Sequence, residues 1–264
     1  MGDDYLNFKE GDLVTRISHK HDIVFKIEKI EGNIVYLKGI NVRLLADSYI
    51  DDIVISDNSV VDDEEIIQRS VKDLDIDRNN YFYIPGKILH IDGDSDYLNR
   101  CMIFYENMGV KANGIALKEN TISSKIVDLV IEYRPDIVVI TGHDAYYSKS
   151  GNKKEGKSYQ NSDNFISAIK ELRKYEKNQD KLIIIAGACQ SNYEELIKAG
   201  ANFASSPKRI NIHALDPAVI AASLAFARKN KSIDLLDTLK KTKYGSDGIG
   251  GIITNGTMYV GYPR

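Results

Sequence analysis

Two short apolar runs constrain the fold of this chain more than any other feature: Ile137-Val-Val-Ile-Thr and Leu182-Ile-Ile-Ile-Ala. Each is rich in β-branched residues and lacks polar alternation, the pattern of a strand buried on both faces of a parallel sheet. Neither approaches the roughly 18–20 apolar residues that a membrane-spanning helix needs. Around them strand and helix signals alternate. Strands are expected over 87–91, 110–117, 136–141 and 181–186. Helices are expected over Ser95–Met108, stopped by Gly109, and over 121–133, 163–177 and 192–199, the last stopped by Gly200. Such repeats give an α/β fold, a mostly parallel sheet flanked by helices, with chemistry at the carboxyl ends of the strands.

The flanks read differently. Residues 8–56 carry short strand signals broken by turns such as Glu31-Gly32-Asn33, which predicts a small SH3-like β-barrel over 1–56. Its expected role is packing or partner binding. An acidic stretch opens with Asp62-Asp63-Glu64-Glu65 and predicts a connector with a short helix over 57–80, leaving 81–264 as the α/β domain. In the tail, helices are expected over 217–229 and 233–240. Ile210-Asn-Ile-His-Ala reads as a strand leaving the sheet, and Asn255-Gly256 predicts a hairpin over 252–260.

Charge and cysteine content remove whole classes of function. With 35 basic and 38 acidic side chains the chain has a net charge of −3 and no basic stripe, which argues against nucleic acid as a partner. Met1-Gly-Asp-Asp-Tyr is acidic and is not followed by an apolar run, so no secretory signal is expected and the location reads as cytoplasmic. Two cysteines, Cys101 and Cys189, make neither a disulfide framework nor a zinc cluster. His19 and His21 have no partners at metal-ligand spacing, and no cofactor motif is present.

Chemistry concentrates where the two apolar runs end. One continues Gly142-His143-Asp144 and the other Gly187-Ala188-Cys189-Gln190-Ser191, so a histidine and a cysteine follow glycine turns at one sheet edge. A thiol near a helix start and an imidazole is biased toward thiolate, the form that attacks carbonyl carbon. Cys189 is then the nucleophile and His143 the base that later delivers a proton to the leaving amine. Backbone N–H groups at these turns, Gly142 and Asp144 among them, would hold the oxyanion. A third member is not required, because thiols ionise more readily than hydroxyls. Cys101, among Met102, Ile103 and Phe104, reads as core filling.

The histidine precedes the cysteine by 46 residues, 189 − 143, and Gly187-Ala-Cys-Gln precedes a helix. In this order the chain resembles caspase-like, clan CD cysteine peptidases, whose dyad lies on adjacent strand ends; it departs from them at Asp144, where glycine is usual. A closer resemblance is carried by Phe8-Lys-Glu-Gly-Asp-Leu-Val-Thr-Arg, Thr141-Gly-His-Asp-Ala, Gly187-Ala-Cys-Gln-Ser and Ala201-Asn-Phe-Ala-Ser-Ser-Pro-Lys-Arg-Ile-Asn-Ile-His-Ala-Leu-Asp-Pro. With these the chain resembles the YabG family of sporulation-specific cysteine peptidases over essentially its whole length. That resemblance implies a mother-cell endopeptidase that acts on spore-coat and cortex-associated proteins at the spore-coat surface. It also implies cleavage after arginine and self-cleavage, with Cys189 as nucleophile and His143 as base.

Arginine selectivity calls for a carboxylate that meets the guanidinium fork. Candidates are Asp144, Asp163 and Asp216, with Asp216 preferred for its place in His213-Ala-Leu-Asp-Pro, although Pro217 makes an N-cap role equally natural. His213 reads as a packing or supporting residue rather than a second base. The polar stretch from Tyr146 to Asn161 reads as a loop framing the cleft or as a processing site. Two other readings stay open: a flavodoxin-like cysteine amidase or glutaminase, and a non-enzymatic binder of a phosphate ligand at the same strand-to-helix turns.

Overall fold

The computed structural model describes residues 8–56, 61–74, 79–146 and 159–263. The polar stretch expected to frame the cleft falls largely on 147–158, outside the described residues. The chain divides into two units, Met1–Asp62 and Asp63–Arg264.

The first unit is a five-stranded antiparallel sheet. Its strands are β1 (Leu13–Arg16), β2 (Phe25–Glu31), β3 (Ile34–Gly39), β4 (Leu45–Tyr49) and, after a 3₁₀ turn at Ile50–Asp52, β5 (Ile53–Ile55), in the order β4-β3-β2-β1-β5. Alternating side chains put Val14, Phe25, Ile27, Val35, Leu37 and Ile53 into one core, the period-2 pattern of a sheet with one buried face.

The second unit opens with α1 (Asp63–Lys72) and β6 (Phe82–Ile84). It continues through β7 (Ile88–Asp92), α2 (Ser95–Met108), β8 (Ala112–Ala116), α3 (Glu119–Tyr133), β9 (Ile137–Thr141), α4 (Ser162–Tyr175), β10 (Ile183–Ala186), α5 (Tyr193–Ala199), β11 (Phe203–Ser205) and α6 (Asp216–Phe226). It closes with α7 (Leu235–Lys240), α8 (Gly245–Gly248), β12 (Ile249–Gly251) and β13 (Tyr259–Gly261). Six strands form one sheet in the order β12-β11-β10-β9-β7-β8, parallel except for β12, which runs antiparallel to β11.

Every residue of β7, β9 and β10 is buried, because helices cover both faces. Ile88, Ile137, Val139, Ile183 and Ile185 pack with Phe104, Tyr105 and Met108 of α2 and with α6. Leu89, Ile91, Val138, Ile140 and Ile184 meet Ile122 and Ile126 of α3 and Phe165 and Ile169 of α4. Each such side chain contributes about 1.5–3 kcal/mol relative to exposure. Helix α1 packs its Ile66 into the first of these cores and pairs Asp63 with Arg100 of α2 at 2.7 Å.

Helix ends follow local chemistry. Asp94 caps α2 through the N–H groups of Asp96 and Tyr97, and Gly109 ends the helix at φ 71°. On the other face, Arg173 of α4 ties three segments together. Its Nε donates to Gly200 O at 2.8 Å, Nη1 to Leu182 O at 2.9 Å, and Nη2 to the Asn202 side chain at 2.8 Å.

Two tail expectations are corrected. Residues 252–260 form no hairpin: β12 adds to the edge of β11, and β13 pairs with β6. Gly256 is there for close approach rather than for a turn, since a Cβ on it would lie 2.1 Å from Ala227 O. The segment 210–214 is an irregular crossing into α6, with a single bridge position at His213, and not a strand.

Candidate active site at the carboxyl edge of the sheet

Strands β9 and β10 are parallel neighbours, with Ile140 opposite Ala186. The turns leaving them therefore start side by side, and His143 and Cys189 sit two and three residues beyond their last strand positions.

The turn that carries Cys189 is tightly wound. Gly187 has φ 109°, and Gln190, directly after the cysteine, is left-handed at φ 58°. A non-glycine residue in that region costs on the order of 1–3 kcal/mol, and such strain gathers at functional sites. Gln190 is held there by its N–H, which donates to Ser206 Oγ at 3.0 Å. Ser206 and Arg209, at φ 68° and 54°, continue the strained geometry on the facing segment.

The Cys189 thiol is fully buried against Ile212. It accepts the Ile212 N–H at 3.2 Å and lies 3.8 Å from Ile212 O. Cys101, also fully buried, lies 3.6 Å from Ala214 O, so both cysteines border the same stretch. Helix α5 starts at Tyr193, four residues beyond Cys189, and has seven residues. Its dipole reaches only its own first turn and gives the thiol little.

His143 lies among acids. Its Nε2 is 3.5 Å from Asp94 Oδ2 and its Nδ1 3.7 Å from Glu119 Oε1. The same Glu119 oxygen accepts the His143 N–H at 2.9 Å, and the Tyr97 ring lies 5.8 Å from the imidazole between centroids. Burial by itself would raise the Glu119 carboxyl. The imidazole 3.7 Å away and the His143 backbone N–H, which donates at 2.9 Å, outweigh it and hold the group below the ordinary glutamate range. Space for this carboxylate comes from two glycines, since a Cβ on Gly93 or Gly142 would lie 2.2 or 2.5 Å from Glu119 Oε1.

Asp144 turns its carboxylate inward. It accepts from Ala145 N at 2.9 Å, Asn161 N at 2.8 Å, Ser191 Oγ at 2.9 Å and Ser162 Oγ at 2.5 Å. Ser191 in turn accepts the Ala188 N–H at 2.9 Å, so Asp144 braces the turn that carries Cys189. Burial pushes its carboxyl upward despite these donors. Asp163 is exposed on the first turn of α4. Asp216, 1% exposed, accepts from His213 N at 3.1 Å and Lys243 N at 2.8 Å. His213 Nδ1 accepts the Leu215 N–H at 3.1 Å, which closes the turn into α6.

The structure thus gathers His143, Gly142, Asp144 and Cys189 at two neighbouring strand ends, and places Asp216 at the start of α6. Sequence alone does not point to Glu119, Asp94, Ser191 or Ile212. The available signal was positional: Asp94 and Glu119 open the helices after β7 and β8, at the same sheet edge.

Comparison with known proteins places the chain in context. A family model described as YabG peptidase U57 matches residues 9–263. The sporulation-specific protease YabG of Bacillus subtilis (strain 168) is 40% identical over 98% of this chain and 99% of that protein. Among solved structures, a cobalamin-binding protein from Desulfitobacterium hafniense DCB-2 is 20% identical, covering 53% of this chain and 58% of that one at a TM-score of 0.35. A probable two-component response regulator/GGDEF domain protein is 15% identical, covering 44% of this chain and 40% of that one at a TM-score of 0.30.

Proposed function

We propose, from the premise that this chain belongs to the YabG peptidase U57 family, that it is a caspase-like cysteine endopeptidase of sporulation acting through Cys189 and His143. The observation that carries the reading is the placement of both residues on turns leaving neighbouring parallel strands, the cysteine in a strained, braced turn.

The chemistry follows from that placement. His143 takes the Cys189 proton, and the thiolate adds to the carbonyl carbon of the scissile bond. Backbone N–H groups of Gly142 and Asp144 steady the oxyanion, and the imidazolium hands its proton to the departing amine. Water activated by His143 then hydrolyses the thioester and frees the thiol. Because the Ile212 backbone lies against Cys189 Sγ at 3.2 Å, a substrate carbonyl enters as that stretch gives way.

Substrates in this reading are spore-coat and cortex-associated proteins, cut after arginine in the mother-cell compartment, and the chain also cuts itself. Asp216 is the arginine-binding carboxylate. It is buried and accepts the His213 and Lys243 N–H groups, so an arginine fork would share the carboxylate with them. The antiparallel N-terminal unit, an SH3-like barrel, serves partner binding or packing, and no cofactor takes part. No helix among the described residues is long and apolar enough to cross a membrane.

Fluorogenic peptides that differ only in Arg, Lys or Ala before the scissile bond test the proposal. The Arg peptide should be cut with at least about 100-fold higher kcat/KM than the Ala peptide, the scale of a matched charge pair in a desolvated pocket. Equal rates on all three would remove the acidic pocket. Hydrolysis of free glutamine without peptide cleavage would replace the peptidase reading with an amidase.

A further inference from the structure

We propose that Glu119 is the positioning residue of this site, holding His143 by backbone and ring so that Nδ1 carries the proton and Nε2 is the nitrogen that takes the proton from the thiol. The inference rests on the catalytic reading of His143 and adds the acidic partner that a two-residue mechanism leaves out.

Three observations converge on it. First, one Glu119 oxygen meets His143 twice, at the backbone N–H (2.9 Å) and at Nδ1 (3.7 Å). A single carboxylate thereby couples ring orientation to the turn leaving β9. Second, glycines in two strand-end turns, Gly93 after β7 and Gly142 after β9, leave room for that carboxylate, since a Cβ on either would push it aside. Third, among the described residues His143 Nε2 is buried without a hydrogen bond, Asp94 Oδ2 lying 3.5 Å away. An unpartnered ring nitrogen is what a base awaiting a thiol proton presents, and an anchored Nδ1–H leaves the Nε2 lone pair free.

Among the described residues, three groups stand at the imidazole. From the start of α2 come Asp94, 3.5 Å from Nε2, and the Tyr97 ring; from the start of α3 comes Glu119. Asp94 also caps its own helix with Oδ1, so its second oxygen adds charge beside the ring while Glu119 fixes the ring's orientation. Glu119 remains ionised near neutral pH, because its bonds to His143 outweigh the effect of its burial. It therefore stabilises imidazolium, the state in which the leaving amine is protonated.

Glu119→Gln keeps an acceptor for the His143 N–H and removes the charge. Measured on the Arg peptide, it should lower kcat about 10- to 100-fold with little change in KM. The pH–kcat/KM profile should change with it, because a charge 3.7 Å from the imidazole is gone. Gly142→Ala, which forces the carboxylate away, should reproduce the loss of kcat with the charge still present. A wild-type profile and kcat in Glu119→Gln, with His143→Ala inactive, would overturn the positioning role and leave the dyad standing. An active His143→Ala would overturn both. Independently of any variant, nitrogen-15 NMR of the wild-type imidazoles should show neutral His143 as the Nδ1–H tautomer. The Nε2–H tautomer would overturn the proposal.

Discussion

Replacing Cys189 with alanine is expected to lower kcat/KM on an Arg peptide by at least about 10⁴-fold while the protein stays folded. A thiol ionises far more readily than the Ser191 and Thr141 hydroxyls at the same strand ends, and losing a nucleophile costs nearly the whole of covalent catalysis. The structural cost is small. One sulfur leaves a fully buried site, and a cavity of that size costs about 1 kcal/mol, or about 2–4 °C in melting temperature for a unit of this size. Cys101→Ala opens a similar cavity in the core beneath α2 and should keep activity within about twofold. Peptide hydrolysis and calorimetry on both variants separate the roles, and an active Cys189→Ala protein would end the mechanism.

The largest expected effect on stability lies at Arg173. Its guanidinium donates to Gly200 O, Leu182 O and the Asn202 side chain. These partners sit at the end of α5, before β10 and before β11. Burial pushes its pKa down to about 10, which still leaves it charged at neutral pH. Arg173→Ala strips charged donors from three segments at once and leaves acceptors under the helix with poorer partners. The expected cost is about 3 kcal/mol, discounted because the side chain is only partly buried, or roughly 6–12 °C in melting temperature. Thermal unfolding checks it; a shift under about 2 °C would mean that water replaces the arginine freely. Below the transition the variant should cut peptides at the wild-type rate, since Arg173 is remote in topology from the turns after β9 and β10.

Much of the second unit was legible because its signals are local and agree with one another. The helix Ser95–Met108 is recovered residue for residue, since an aspartate cap and a terminal glycine bracket one amphipathic run. Buried strands such as Ile137–Thr141 announce themselves by continuous β-branched residues. The errors arise where glycine has more than one use. At Asn255-Gly256 the residue pair signals a turn, yet the glycine serves close approach to Ala227, a tertiary constraint that no short window contains. Likewise β5, three residues long, offers too little pattern to be seen.

Of the candidate site, the two strand ends are legible in sequence and the groups packed around them are not. His143 and Cys189 each follow a glycine after an apolar run, a pattern visible in one dimension. Glu119 and Asp94 belong to other turns, and only the order in which β8, β7 and β9 lie side by side brings them to the imidazole. Asp144 shows the same limit from the other side. Its neighbour is catalytic in the proposed mechanism, but its own carboxylate points to Ser162 and Ser191, a direction set by packing.

The most direct measurement is covalent labelling. The protein is incubated with a peptidyl-arginine acyloxymethyl ketone, which alkylates an attacking thiolate, and the modified residue is located by mass spectrometry in wild type and in His143→Ala. The account predicts one adduct, on Cys189, formed in proportion to loss of activity and slowed at least about 100-fold without His143. An adduct on Cys101, or complete inactivation with Cys189 unmodified, would contradict it.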